Sequence, residues 1–153
     1  MRIVALLHFA VPYRMAGSET MLHWMLKALV DKGHDVHAVI SDMPEAPRQW
    51  TEHGVQYHSR AGVANAASRA GTLAPDVVVT HHQNATHAIM LAKQRGVPSI
   101  FVQHNTFGMN AQILDGLELD PDVVPGEIRG HDVLVGGGIY KGAPWVDCAL
   151  LVD

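Results

Sequence analysis

The chain is poor in the features that mark several protein classes. Its 153 residues hold one cysteine, Cys148, so no internal disulfide can form and no oxidising compartment has left a mark. That thiol lies in the apolar run 146–152, where a small buried hydrophobe is its expected role. Charged residues make up only 17% and the formal net charge is −4, with no cluster of Lys or Arg along the sequence. A broad nucleic-acid surface and strong docking on anionic lipid are therefore not expected. No apolar run approaches the roughly 20 residues needed to span a bilayer. No cleavage-site pattern follows the short apolar run Ile3–Leu7, so no signal peptide is read and a cytoplasmic protein without a transmembrane segment is expected.

Chemical motifs are also scarce. There is no His-Glu-x-x-His and no Cys/His spacing of a zinc site, so no metal is expected. There is no G-x-G-x-x-G. Gly137 and Gly142 have the spacing that opens a Walker A loop, but Ala143-Pro144 stands where Lys-Ser/Thr is required. No G-x-S-x-G elbow occurs. Asp42, Glu45 and Glu52 are scattered and do not read as the paired carboxylates of a glycosidase.

What is present is a hydrophobic content of 48%, enough to bury a core, arranged in short apolar runs that alternate with helical periodicity. Strands are read at Ile3–Leu7, Val36–Ile40, Gly54–His58, Val77–Thr80, Pro98–Gln103 and Asp147–Val152. A helix after Ser18, its expected N-cap, carries Met21, Leu22, Met25, Leu26, Leu29 and Val30 on one face and stops at Gly33. Trp24 in this helix is read as packing. Further helices are expected at Val63–Leu73 and at Ala85–Gln94, the latter closed by Gly96. Continuous apolar strands separated by helices give βαβ units, a parallel sheet and helices on both faces. Residues 108–144 break the pattern with Gly136-Gly137-Gly138, Pro121, Pro125 and Pro144. They are read as a flexible Gly/Pro-rich insertion with one short helix near Asn110–Leu117.

The chain has 11 histidines, and His8, His58, His81 and His104 each fall at or near the carboxyl end of an expected strand. In an open α/β sheet that edge is where ligands bind. A hydrogen-bonded loop role remains open for any one of them. Adjacent His81 and His82 make a poor chelating pair on an extended strand, whose neighbouring side chains point to opposite faces. Met15-Ala16-Gly17-Ser18-Glu19 joins the first strand to the first helix. A glycine there lets backbone approach a ligand, and a helix N-terminus suits a phosphate, although an ordinary capped helix reads the same way.

Several segments together resemble the N-terminal domain of the GT-B retaining glycosyltransferases of family four. They are Met1-Arg2-Ile3-Val4, Ala16-Gly17-Ser18-Glu19, and the helix end running through Lys32-Gly33-His34-Asp35-Val36. Asp76-Val77-Val78-Val79-Thr80-His81, Gly96-Val97-Pro98-Ser99-Ile100-Phe101-Val102-Gln103-His104-Asn105 and Asp147–Val152 complete the set. Their order and spacing carry the likeness, over residues 1–107 and 145–153. The family usually shows Gly-Gly-Ala-Glu where this chain has Ala16-Gly17-Ser18-Glu19.

The resemblance implies a single Rossmann-like domain over 1–153, one half of a GT-B fold, with the C-terminal donor-binding domain absent. It implies the acceptor side of sugar transfer from a nucleotide-sugar co-substrate, with no other cofactor and no obligatory metal. His104 would face the transferred sugar as the catalytic position. Gly17, Ser18, His8, His81 and Asn105 would bind substrate. A partner domain or subunit would supply the donor site, without which the chain is expected to be inactive. Self-association through the face left by a missing half is a further expectation. A non-catalytic glycan- or nucleotide-binding module, and a different Rossmann-like enzyme such as a sugar epimerase or a nucleotide hydrolase, remain alternatives.

Overall fold

A computed structural model describes residues 1–81, 84–103 and 133–136. The chain begins with strand β1 (Arg2–Leu7), helix α1 (Gly17–Asp31) and strand β2 (Asp35–Ile40). Strands β3 (Gln49–Glu52) and β4 (Val55–Ser59) follow, then helix α2 (Val63–Thr72), β5 (Val77–Thr80), α3 (Ala85–Arg95), β6 (Ser99–Gln103) and β7 (Val133–Gly136). They form one sheet in the order β3-β4-β2-β1-β5-β6-β7. Every neighbouring pair is parallel except β3 with β4.

Strand alternation divides the core. Ile3, Ala5, Leu7, Val36, Ala38, Ile40 and Tyr57 pack with Leu22 and Leu26 of α1 on one face. Val4, Leu6, Val39 and Val78 pack with Ala66 and Ala70 of α2 and Ala88, Leu91 and Ala92 of α3 on the other. β1 is buried on both faces, which is why it reads as an unbroken apolar run. The alanines of α2 and α3 let these helices approach the sheet closely. Arg2 ties together the amino ends of the strands: its Nε donates to Asp35 Oδ2 at 2.6 Å and its backbone N–H to Asp76 Oδ2 at 2.6 Å. That guanidinium holds the Asp35 carboxyl below its ordinary range.

α1 ends where the sequence predicts. Gly33 takes φ +84°, its N–H donates to Val30 O at 2.8 Å, and His34 N–H donates to Leu29 O at 3.1 Å. The start differs from expectation. Ala16, not Ser18, occupies the N-cap position, and no side chain caps the first turn. Ser18 lies inside that turn, where its hydroxyl donates to Glu19 Oε2 at 2.9 Å.

Two strands differ from the sequence reading. Gln49–Glu52, to which the sequence reading assigns no element, pairs antiparallel with β4 through the two-residue turn His53-Gly54, with φ +49° and +84°. Positive φ at both positions is the type I′ hairpin geometry, here achieved without the usual Asn-Gly signal. The second is β7, which falls inside the stretch read as a flexible insertion and pairs parallel with β6 from Ile100↔Val133 to Gln103↔Gly136. The short helix read near 110–117 and the strand read at 147–152, with Cys148, lie outside the described residues.

Candidate functional site at the carboxyl rim

From β1 the chain crosses over α1 to β2 on one side; from β4 it returns over α2 to β5 on the other. The connections therefore diverge between β1 and β5, which is where an open parallel sheet leaves a crevice beyond its strand ends. His8 follows β1 directly and His81 follows β5 directly. The loop after His8 leads to Gly17 and Ser18, the first residues of α1. Four of the expected site residues thus share the carboxyl end of the sheet. His104 and Asn105 lie outside the described residues; Gln103 before them ends β6, the neighbour of β5.

The four have different surroundings. His8 is partly exposed, and its Nε2 lies 3.7 Å from Asp42 Oδ2 beyond the end of β2. Burial pulls its imidazole below the ordinary histidine value; Asp42 and Glu19 act in the opposite direction, and Arg14 adds a small push downward. The His8 ring packs on Phe9 with centroids 3.8 Å apart, and the Arg14 guanidinium lies 4.1 Å above Phe9. Gly17 is open: a Cβ built there meets nothing within 4 Å. His81 is fully buried, so it stands beneath the rim rather than on its surface. Thr80 beside it donates its hydroxyl to Leu6 O at 2.9 Å and stitches β5 to β1 at the switch point.

Sequence reasoning passed over two rim residues. Ser41, just past β2, and Asn84, at the N-cap position of α3, are both buried and hydrogen-bond to each other at 3.3–3.4 Å. This contact spans from β2 to α3 across the crevice floor. Glu19 is 7% exposed although it carries a carboxyl group, and it lies in the first turn of α1, where the helix dipole favours an anion. Small polar residues at strand and helix ends carry no periodic signal, so only the topology brings them together.

His58, the remaining histidine of the strand-end set, has a packing role. Its Nε2 lies 3.1 Å from His37 Nδ1, while Gln49 Nε2 and Arg69 Nη2 approach its Nδ1 at 3.3 and 3.5 Å. Amide and guanidinium nitrogens only donate, so Nδ1 of His58 accepts and its proton sits on Nε2. His37 then receives at Nδ1 and donates from Nε2 to Asp35 Oδ1 at 3.1 Å. Burial first, then the fields of Arg69, His37 and Arg60, push the His58 pKa down to about 4.

Trp24 is half exposed rather than packed away, with its ring 5.3 Å from those of His23 and His53. Beside it lies a pocket of about 120 Å³ between the loop after β1, α1 and the hairpin turn, with Pro12, Met15, Trp24 and His53 among its walls. Trp50 holds this loop by donating Nε1–H to Val11 O at 3.3 Å. A larger groove of about 460 Å³ runs between α2 and α3 and is lined only by their side chains, so it includes none of the rim residues. Among the described residues no group of three or more His, Cys, Asp or Glu is placed to hold a metal ion. No helix among them is long and apolar enough to cross a membrane.

The rim geometry can be set beside known proteins. No curated protein matches the chain. The crystal structure of α,α-trehalose 6-phosphate synthase from Burkholderia multivorans superposes with a TM-score of 0.52 over 87% of this chain, at 11% identity. At that identity the likeness concerns the fold: a Rossmann-like α/β half of the GT-B arrangement. The chain spans 39% of the length of that enzyme. The family model described as Glycosyltransferase Family 4 matches residues 15–119, from the loop before α1 through β6 and beyond. The match takes in most of the chain and the uncapped glycine turn at the crevice, and the protein therefore belongs to glycosyltransferase family 4.

Proposed function

We propose that this domain provides the acceptor side of transfer of a sugar from a nucleotide-sugar donor. The observation that carries the reading is the gathering of His8, Gly17, Ser18 and Asp42 around the switch point between β1 and β5, above buried His81 and the Ser41–Asn84 contact. Each group has a use there. The first turn of α1 has no side-chain cap, so its N–H groups and positive dipole end can receive diphosphate oxygens. Gly17 has no side chain to keep them away. The depressed pKa of His8 leaves it a neutral imidazole near pH 7, able to accept from or donate to an acceptor hydroxyl. His104, the residue that follows β6 in the chain, would face the transferred sugar.

Departure of a nucleoside diphosphate builds negative charge that fixed donors or cations must stabilise. At this rim the helix N-terminus meets that need only in part, since Glu19 and Asp42 lie close by. A second domain or subunit would bring the missing cations, and residues 1–153 by themselves are proposed not to transfer sugar. The test is a transfer assay with radiolabelled UDP-, GDP- and ADP-sugars, run on this chain alone and on the enzyme with its donor domain. Transfer is expected only from the second. His104→Ala in that enzyme should lower turnover while leaving the unfolding midpoint near the parent value; unchanged turnover would remove His104 from the role. Transfer by the isolated 153-residue chain would refute the division of labour.

A further inference from the structure

Arginine is the side chain that most often pairs with carboxylates, yet Arg48, Arg60 and Arg69 converge at one corner of this acidic chain without doing so. Arg48 immediately precedes β3, Arg60 immediately follows β4, and Arg69 lies in α2. The hairpin brings the first two together: Arg48 O accepts both Ser59 N–H at 3.1 Å and Arg60 Nη1–H at 3.2 Å. Arg60 Nη1 also donates to Ser59 O at 2.6 Å. Arg69 donates to Thr72 Oγ1 at 3.2 Å and reaches His58 Nδ1 at 3.5 Å, while its Nε is buried without an acceptor. Among the described residues, no carboxylate forms an ion pair with any of the three. His58 offers them no negative charge: its Nδ1 lone pair accepts from Gln49 and Arg69. Arg60 is held below its ordinary pKa by burial and then by Arg69 and Arg48, so it lies within the field of both.

Three like charges held together by a hairpin and a helix cost stability unless something anionic answers them. The corner also lies on the working edge of the sheet. Arg60 N–H donates to Ile40 O at 2.9 Å, beside the end of β2. β4 stands two strands from β1, about 12 Å from the switch point between β1 and β5 at the usual strand spacing.

We propose that Arg48, Arg60 and Arg69 form a binding site for a phosphate-type oxyanion at the carboxyl edge of β4. Guanidinium groups present planar paired donors that match such oxygens, and the exposed Arg48 side chain is free to close over the anion. The source is either free phosphate or a phosphate carried by a sugar.

The test is a titration followed by backbone amide resonances of Ser59–Gly62 and the arginine Nε–H signals. The probes are inorganic phosphate, ribose 5-phosphate and neutral ribose. Saturable shifts at these residues are expected with both phosphates and not with ribose, weakening as sodium chloride is raised. Tighter binding of ribose 5-phosphate than of phosphate assigns the anion to a sugar; equal binding assigns it to free phosphate. Arg48→Gln and Arg60→Gln should each weaken binding about tenfold or more, as loss of one charge-assisted contact does. Arg48 makes no side-chain hydrogen bond within the described residues, so its replacement reads binding without disturbing the fold. Absence of saturable shifts, or equal affinity in the parent and both variants, overturns the proposal. No sugar transfer is measured, so the outcome is independent of the acceptor-side reading above.

Discussion

Replacing Gly54 by alanine tests the joint between the β3–β4 hairpin and α1. Gly54 takes φ +84°, and a Cβ there would lie 2.7 Å from Val30 Cγ1. Two costs combine. An L-residue in the left-handed region loses about 1–2 kcal/mol. The overlap adds the cost of overpacking, about 1–3 kcal/mol, because a β-branched valine in a helix has one strongly preferred χ1 rotamer and cannot easily turn aside. Lower entropy of the unfolded chain returns about 0.4–1 kcal/mol. The net destabilisation should be about 1–5 kcal/mol, centred on about 3. Gly33→Ala is the control: its φ is also +84°, but nothing lies within 4 Å of the added Cβ. It should lose only about 1 kcal/mol, by the same strain and entropy terms. Urea unfolding of the two variants and the parent, with a common m-value, measures both. Equal losses in the two variants would refute the packing argument and leave backbone strain as the whole effect.

Three other outcomes follow from the same contacts. His58 is depressed to about pKa 4 in the folded chain, so between that value and about 6.5 the unfolded chain binds more protons. Stability should be full above pH 6.5 and fall as pH drops toward 4. His58→Asn should flatten that slope in urea titrations, and an unchanged slope would assign the effect to other groups. Tyr57→Phe removes the hydroxyl 2.7 Å from His23 Nδ1 in the buried interface between α1 and β4. Chemical unfolding should register a loss of about 1–3 kcal/mol for the stranded partner; a loss below about 0.5 kcal/mol would mean His23 finds another. Gly17→Val should leave the unfolding midpoint nearly unchanged, because its Cβ meets nothing within 4 Å. It should still weaken nucleotide-sugar affinity in the enzyme with its donor domain, and calorimetry showing unaltered affinity would remove the α1 turn from the site.

Much of the fold was legible before any coordinates. Buried parallel strands such as β1 and β5 read as apolar runs because both their faces are covered. α1 was legible because its core face repeats at helical spacing and Gly33 ends it. β3 was hidden because Gln-Trp-Thr-Glu is half exposed and its His-Gly turn is not a usual hairpin signal. β7 was hidden because its four residues sit among glycines and prolines, and only pairing with β6 makes them a strand. The candidate site was half legible. The position of His8 and Gly17 follows from the strand–loop–helix pattern, whereas Ser41 and Asn84 were passed over.

The amino-acid order alone determined the alternation of strands and helices, the parallel sheet and the placing of histidines at strand ends. These depend on local periodicity and on short connections, which one chain segment carries by itself. Only the tertiary structure decided which strand ends share a crevice, since that requires the order β4-β2-β1-β5-β6 and the reversal at its centre. It also decided that His58 packs while His8 lines the rim, and that Arg48, Arg60 and Arg69 meet. Burial and charge act through space, between residues that the sequence holds apart.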